Sequence, residues 1–88
     1  MPTTDEVWER IRAHQGETFH QMTGGEFTYE VAGDRVVPDR TSRQIPKADF
    51  GKALDLVPLG DTVPVQRLQA PSYIFAIMMD PRIRRGDW

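Results

Sequence analysis

Seven consecutive apolar residues, Tyr73–Met79, stand between Pro71 and Pro81 and constrain the fold more than any other segment. The prolines and the Met pair favour a helix over a buried strand. A helix that is apolar on every side must be covered on every side. An 88-residue chain has little surface to spare for that cover. Residues 72–80 are therefore predicted to form a central helix, and any side left bare would be an interface.

The composition is that of one small folded domain. With 39% hydrophobic residues, 27% charged residues and a net charge of −2, the chain is too apolar and too weakly charged to be disordered. It has no cysteine, so a disulfide or a Cys-based zinc site cannot stabilise it. The apolar run is far shorter than the roughly 18 residues of a membrane span. Asp5 and Glu6 are acidic where a signal peptide would be basic. We expect a single domain over residues 1–88, located in the cytoplasm.

Two amphipathic helices are predicted on either side of a β region. The first is capped by Thr3 or Thr4 and ends before Gly16. The second starts after Pro46 and ends at Pro58. Its apolar residues recur at helical spacing. They are Phe50, Ala53, Leu54 and Val57.

Between these helices, alternating apolar and polar residues predict a three-stranded antiparallel meander. Its strands cover 17–22, 26–32 and 35–37, and another short strand is expected near 42–45. The predicted fold class is α+β, with an N-terminal helix, the meander, and two C-terminal helices packed on one face of the sheet. The residues predicted to fill the core are Phe27, Tyr29, Val31, Phe50, Leu54, Ile74 and Ile77, with Trp8 and Ile11 at one edge.

Charge is distributed unevenly along the chain. Residues 1–34 hold seven acidic and two basic side chains, a net −5, whereas residues 35–88 hold nine basic and six acidic ones, a net +3. In proteins, phosphate oxygens are bound by arginine guanidinium groups, by hydroxyl groups and by the N–H groups at a helix N-terminus. Residues 35–52 contain all three. The competing interpretation is a solvated face with weak pairs to Asp39 and Asp49. The predicted nucleic-acid-binding residues are Arg35, Arg40, Thr41, Ser42, Arg43, Lys47 and Lys52.

The sequence holds few candidates for catalysis or metal binding. His14 and His20 lie on different predicted elements, and no cysteine accompanies either. No Gly-x-Ser-x-Gly surrounds a serine, and no Lys-Ser/Thr follows Gly24-Gly25 as a phosphate loop requires. So short a chain also has little room for a catalytic cleft with its supporting residues. The prediction is a protein without enzymatic activity, metal or cofactor.

The segment 82–88 combines arginines with an aromatic ring at Trp88. Such a pairing suits stacking on bases or docking on an acidic protein surface, although a tail of this kind can also fray.

Two functions follow from these features. The first is a small binding module that presents its Arg/Lys surface to an anionic partner, DNA or RNA in preference to a membrane. The alternative is an assembly protein that forms a homodimer, or docks on a larger protein, through residues 73–79. Its interface residues would be Tyr73, Phe75, Met78 and Met79. The salt dependence of binding distinguishes the two functions, because phosphate binding weakens steeply as the salt concentration rises and an apolar interface does not.

Overall fold

The computed structural model describes all 88 residues, which form four helices and five short strands. The helices are α1 (Thr4–Ala13), α2 (Lys47–Leu54), α3 (Pro71–Met78) and α4 (Pro81–Arg84), with a 3-10 helix at Val63–Val65. The strands are β1 (Phe19–His20), β2 (Glu26–Phe27), β3 (Tyr29–Ala32), β4 (Arg35–Pro38) and β5 (Ile45–Pro46). An N-terminal helix, a three-stranded antiparallel sheet and C-terminal helices confirm the predicted α+β class.

The strands form two antiparallel sheets rather than one continuous meander. β1 pairs with β2, and the second sheet has the order β3-β4-β5. The predicted strand 26–32 is interrupted at Thr28, whose backbone N–H donates to the Asp39 carboxylate at 3.0 Å. The third strand of the main sheet is therefore the short one at Ile45–Pro46, and not the segment 17–22.

The first two helices form for local reasons and pack closely on each other. A capping box begins α1: the Thr3 hydroxyl accepts from the Glu6 N–H, and the Glu6 carboxylate accepts from the Thr3 N–H, each at 3.2 Å. Gly51 lies where α2 meets α1, since a Cβ at this position would stand 3.2 Å from the Thr4 side chain. The glycine thus permits the close approach of the two helices.

The core is one cluster of 19 buried hydrophobic residues between the helices and the sheets. All the predicted core residues are buried except Val31, which is half-buried. Trp8 and Ile11 belong to the cluster as well. Sequence patterns did not indicate several further members, because they lie on very short elements. These include Phe19, Val36, Ile45 and Ile83.

The central position of α3 agrees with the sequence prediction. Ile74, Ile77 and Met78 are fully buried by other parts of the same chain. None of the helices combines the length and the apolar character that crossing a membrane would require.

The last residues of the chain are folded against the domain. Ile83 of α4 is fully buried, and the Trp88 indole N–H donates to the Met78 carbonyl at 2.8 Å. Arg10 of α1 donates to the Ile83 carbonyl at 2.9 Å and pairs with Asp87 at 2.7 Å. The segment that the sequence allowed to fray is thus held by both apolar and ionic contacts.

Candidate functional site

The loop between β4 and β5 carries two exposed arginines without a carboxylate partner. None of the ion pairs in the structure includes Arg40 or Arg43. One guanidinium nitrogen of Arg40 donates to the Glu26 carbonyl over a long 3.4 Å, and the Arg43 side chain makes no hydrogen bond within the chain. Most of the donors of these two guanidinium groups are therefore free for a ligand.

The nearest carboxylate along the chain, that of Asp39, is engaged by the backbone. It accepts the Thr28 N–H, and the Asp39 N–H donates in return to the Thr28 carbonyl, both at 3.0 Å. Further along the loop, the Arg43 N–H donates to the Thr41 hydroxyl at 3.2 Å. These bonds hold the loop and leave Ser42 exposed beside the arginines. The pairs with Asp39 that the competing interpretation assumed do not form.

Arg35 lies on the outer face of the main sheet. It pairs in register with Ala32 and Pro46, whereas the next residue, Val36, faces inward and is fully buried. Because side chains alternate along a strand, the Arg35 side chain points away from the core. It is exposed and takes part in no ion pair of the structure.

The two lysines of the predicted surface are separated by the helix that carries them. Lys47 forms an ion pair with Asp5 of α1 at 2.5 Å. Lys52 follows five residues later, so its direction differs by about 140° around the helix axis. It lines a cleft with Arg67 instead. The structure thus groups residues 40–43 on one loop, places Arg35 on the strand that precedes it, and assigns both lysines to other surroundings.

The predicted interface on α3 is largely covered by the chain itself. Met78 is fully buried, so it belongs to the core and cannot meet a partner at the surface. Tyr73 packs edge-on against Phe27 with the ring centroids 4.8 Å apart. Phe75 and Met79 remain half-buried and line a shallow depression of about 230 Å³, with the exposed Met22 at its rim.

An ionic cluster around Arg82 was not indicated by the sequence. Its guanidinium forms two 2.9 Å bonds with the Asp80 carboxylate, and it donates to the Glu17 carboxylate at 3.0 Å and to the Thr18 carbonyl at 2.8 Å. The only sequence signal was Asp80-Pro81, a typical helix start, since an N-cap aspartate precedes proline at the first helical position.

These contacts displace the pKa values of the groups involved. The bonds to Asp80 and Glu17 outweigh partial burial and raise the pKa of Arg82. Burial alone would raise the pKa of Asp80, but the hydrogen bonds from the Arg82 side chain and backbone hold it below its usual value. The hydrogen bond with His14 and the contact with Arg82 lower the pKa of Glu17.

The aromatic and basic tail therefore serves the fold. Arg82 is saturated by its partners, Arg84 donates to the Trp88 carbonyl, and the Trp88 indole is bonded to Met78. The base-stacking role considered for this tail would require these contacts to break. The structure also contains no group of three His, Asp or Glu side chains arranged to hold a metal ion.

The fold and this surface define a small α+β domain with an unpaired arginine loop. Comparison with protein families, curated proteins and solved structures found no match for the chain.

Proposed function

We propose that this protein is a non-catalytic binding module that holds the phosphate backbone of a nucleic acid with its β4–β5 loop. The observation that carries the proposal is that Arg40 and Arg43 lie exposed on one short loop and neither forms an ion pair. Arg10, Arg12, Lys47 and Arg82, by contrast, are paired with carboxylates. Because these two guanidinium groups have no carboxylate partner in the chain, binding an external anion breaks no ion pair of the fold.

The loop offers the donors that a phosphate group needs. Each guanidinium can donate two parallel hydrogen bonds to one phosphate, and the Ser42 hydroxyl can add a third donor. Arg35, at the far end of β4, adds a further exposed cation on the outer face of the sheet. Contacts of this kind fix a protein on the backbone without reading the base sequence. We therefore expect binding with little sequence preference, in the cytoplasm.

The charge of the chain is uneven: residues 1–34 carry a net −5 and residues 35–88 a net +3. The arginine loop belongs to the basic part, and its two unpaired guanidinium groups favour the approach of a polyanion there.

The test is a titration of short fluorescent single-stranded DNA, single-stranded RNA and duplex DNA at low salt, followed by anisotropy. The wild-type protein should bind at least one of them, and R40E/R43E should weaken that binding about tenfold or more. K52E/R67E is the matched control, because it makes the same change in net charge on another surface. Equal loss in both variants, or no binding at low salt, would overturn the proposal.

Self-association through α3 is a second candidate, supported by one observation. Phe75 and Met79 are half-buried and share their depression with Met22, whose side chain is 58% exposed. Exposed methionine is typical of adaptable contact surfaces. Sedimentation at several concentrations tests this candidate: M22S should reduce any association, and a strict monomer at every concentration would remove it.

A further inference from the structure

A cleft of about 360 Å³ lies between the end of α2 and the connector that leads to α3. One wall carries Lys52, in the last turn of α2, and Leu56, in the turn that follows this helix. Leu56 is 46% exposed and lines the cleft together with two other apolar residues, Pro64 and Leu68. The residues lining the cleft are Lys52, Leu56, Pro64, Arg67 and Leu68.

The walls of this cleft are held in place from below. The carboxylate of Asp49, itself only 8% exposed, accepts the Gln69 N–H at 2.9 Å and so ties the connector to α2. Val65, in the middle of the connector, is fully buried in the core. The Gln69–Asp49 hydrogen bond and the buried Val65 therefore hold the connector against α2, so the cleft is formed without a ligand.

The charged residues that line the cleft are both positive. Lys52 and Arg67 are exposed and neither takes part in an ion pair, although Asp55 stands three residues after Lys52. The nearby Asp61 uses a carboxylate oxygen to accept the Val63 N–H at 2.9 Å. The cleft thus combines an apolar lining with two cations whose charge is not balanced inside the chain.

We infer that this cleft binds a peptide segment of a partner protein in which an acidic side chain stands next to a large apolar one. The apolar side chain would fill the space between Leu56, Pro64 and Leu68. The carboxylate would meet Lys52 and Arg67. Charge complementarity selects an acidic partner, and the apolar lining selects a partner that can bury a side chain at the same time.

The same lining argues against a nucleic acid in this cleft. No aromatic ring lines it, so a base has nothing to stack on. Leu56, Pro64 and Leu68 would contact a charged phosphate backbone, which cannot bury their apolar surface. The cleft and the β4–β5 loop share no residue, because Lys52 lines the cleft. Each of the two surfaces can therefore bind its ligand independently of the other.

The experiment is a selection of random short peptides displayed on phage against the folded protein. We expect the enriched peptides to carry Asp or Glu adjacent to Leu, Phe or Trp. The best of them, synthesised and labelled, should shift the amide resonances of residues 52–56 and 65–68. K52E/R67E should weaken its binding about tenfold or more, and L56S about fivefold.

The control is R40E/R43E, which changes the net charge equally and should leave peptide binding unchanged. Enriched peptides without acidic residues, shifts confined to another surface, or the absence of any enriched peptide would each overturn the inference. If K52E/R67E instead dissociated a homodimer seen by sedimentation, the cleft would be an interface between copies and the partner peptide would be excluded. A loss of nucleic-acid binding in R40E/R43E tests only the function proposed for the β4–β5 loop.

Discussion

The guanidinium carbon of Arg82 lies 3.9 Å from the centroid of the Phe19 ring, so a residue of α4 covers a fully buried residue of β1. The same group bonds Asp80 on its own segment and Glu17 just before β1. A cation over an aromatic face is attracted by the ring quadrupole. One side chain thus fastens the C-terminal helix to the first strand by stacking and by charge together.

We expect Arg82→Ala to destabilise the fold by about 1–3 kcal/mol, because it leaves the Asp80 carboxylate without its partner. Arg82→Lys should fall between the alanine variant and the wild type, since an ammonium keeps the charge but loses the two-pronged bond. Urea unfolding measures both. Arg43→Ala is the control: Arg43 is exposed, forms no ion pair and makes no side-chain hydrogen bond, so its loss should cost less than about 0.5 kcal/mol.

Acid should weaken the fold through Asp80. Its pKa is lower in the folded chain than in the unfolded one, so below about pH 4 the unfolded chain binds more protons. The stabilisation is present at neutral pH and is lost as the pH falls through the folded pKa. Asp80→Asn keeps the helix cap but removes the charge, and it should flatten the dependence of the unfolding free energy on pH in this range. An Asp80→Asn variant with the same pH dependence as the wild type would contradict this prediction.

Alkaline solution should weaken the fold through Tyr29. Its hydroxyl is buried and donates to the Ile11 carbonyl at 2.6 Å, and burial raises the pKa of Tyr29 above its usual value. The unfolded chain therefore loses this proton first, and stability falls as the pH rises above about 10. Tyr29→Phe should cost about 1 kcal/mol at neutral pH and reduce that alkaline loss. Melting temperatures measured against pH test this, and a Tyr29→Phe variant with the same alkaline loss as the wild type would contradict it.

Removal of the Phe50 ring should cost about 3–5 kcal/mol, because the residue is 1% exposed and packs on Trp8 with the centroids 5.9 Å apart. The loss is a large part of the stability of a small domain. Denaturant unfolding of Phe50→Ala measures it, with Val63→Ala, 65% exposed, as a variant that should change little. An unchanged midpoint for Phe50→Ala would show that this ring does not hold α2 to α1.

Arg43→Ala should weaken nucleic-acid binding about equally for all sequences and lower the salt slope by about one phosphate contact. The reason is that the side chain has no internal partner and would contact backbone phosphate only. Anisotropy titrations at a series of salt concentrations give the slope. Arg12→Ala, on α1 and paired with Glu9, should leave it unchanged. A change in sequence preference without a change in slope would show that Arg43 reads bases instead.

Local patterns in the sequence were sufficient for α1, α2 and α3, but they did not predict α4, which lies in the segment expected to fray. Helical spacing of Phe50, Ala53 and Leu54 predicted the buried face of α2, and the proline-bounded apolar run predicted α3. Both signals depend only on neighbours within one or two turns, where side-chain direction follows from the backbone period. The same holds for the cap of α1 at Thr3.

Strand pairing was less accessible, because register depends on residues far apart in sequence. The alternation of Phe27, Tyr29 and Val31 is continuous, yet the ladder breaks at Thr28, where the Asp39 carboxylate takes the place of a strand neighbour. Nothing within 26–32 signals that break. The partner lies 11 residues away on a loop, and only the folded chain brings the two together.

The sequence by itself determined the fold class, the helical faces and the excess of basic residues after position 34. Tertiary structure decided which of those charges are free. Lys47 and Arg82 meet carboxylates supplied by distant segments, whereas the loop arginines meet none. Lys52 lines a cleft that Arg67 also lines. A charge can be counted along the chain, but its partner depends on which surfaces pack against each other, and packing is a property of the whole core.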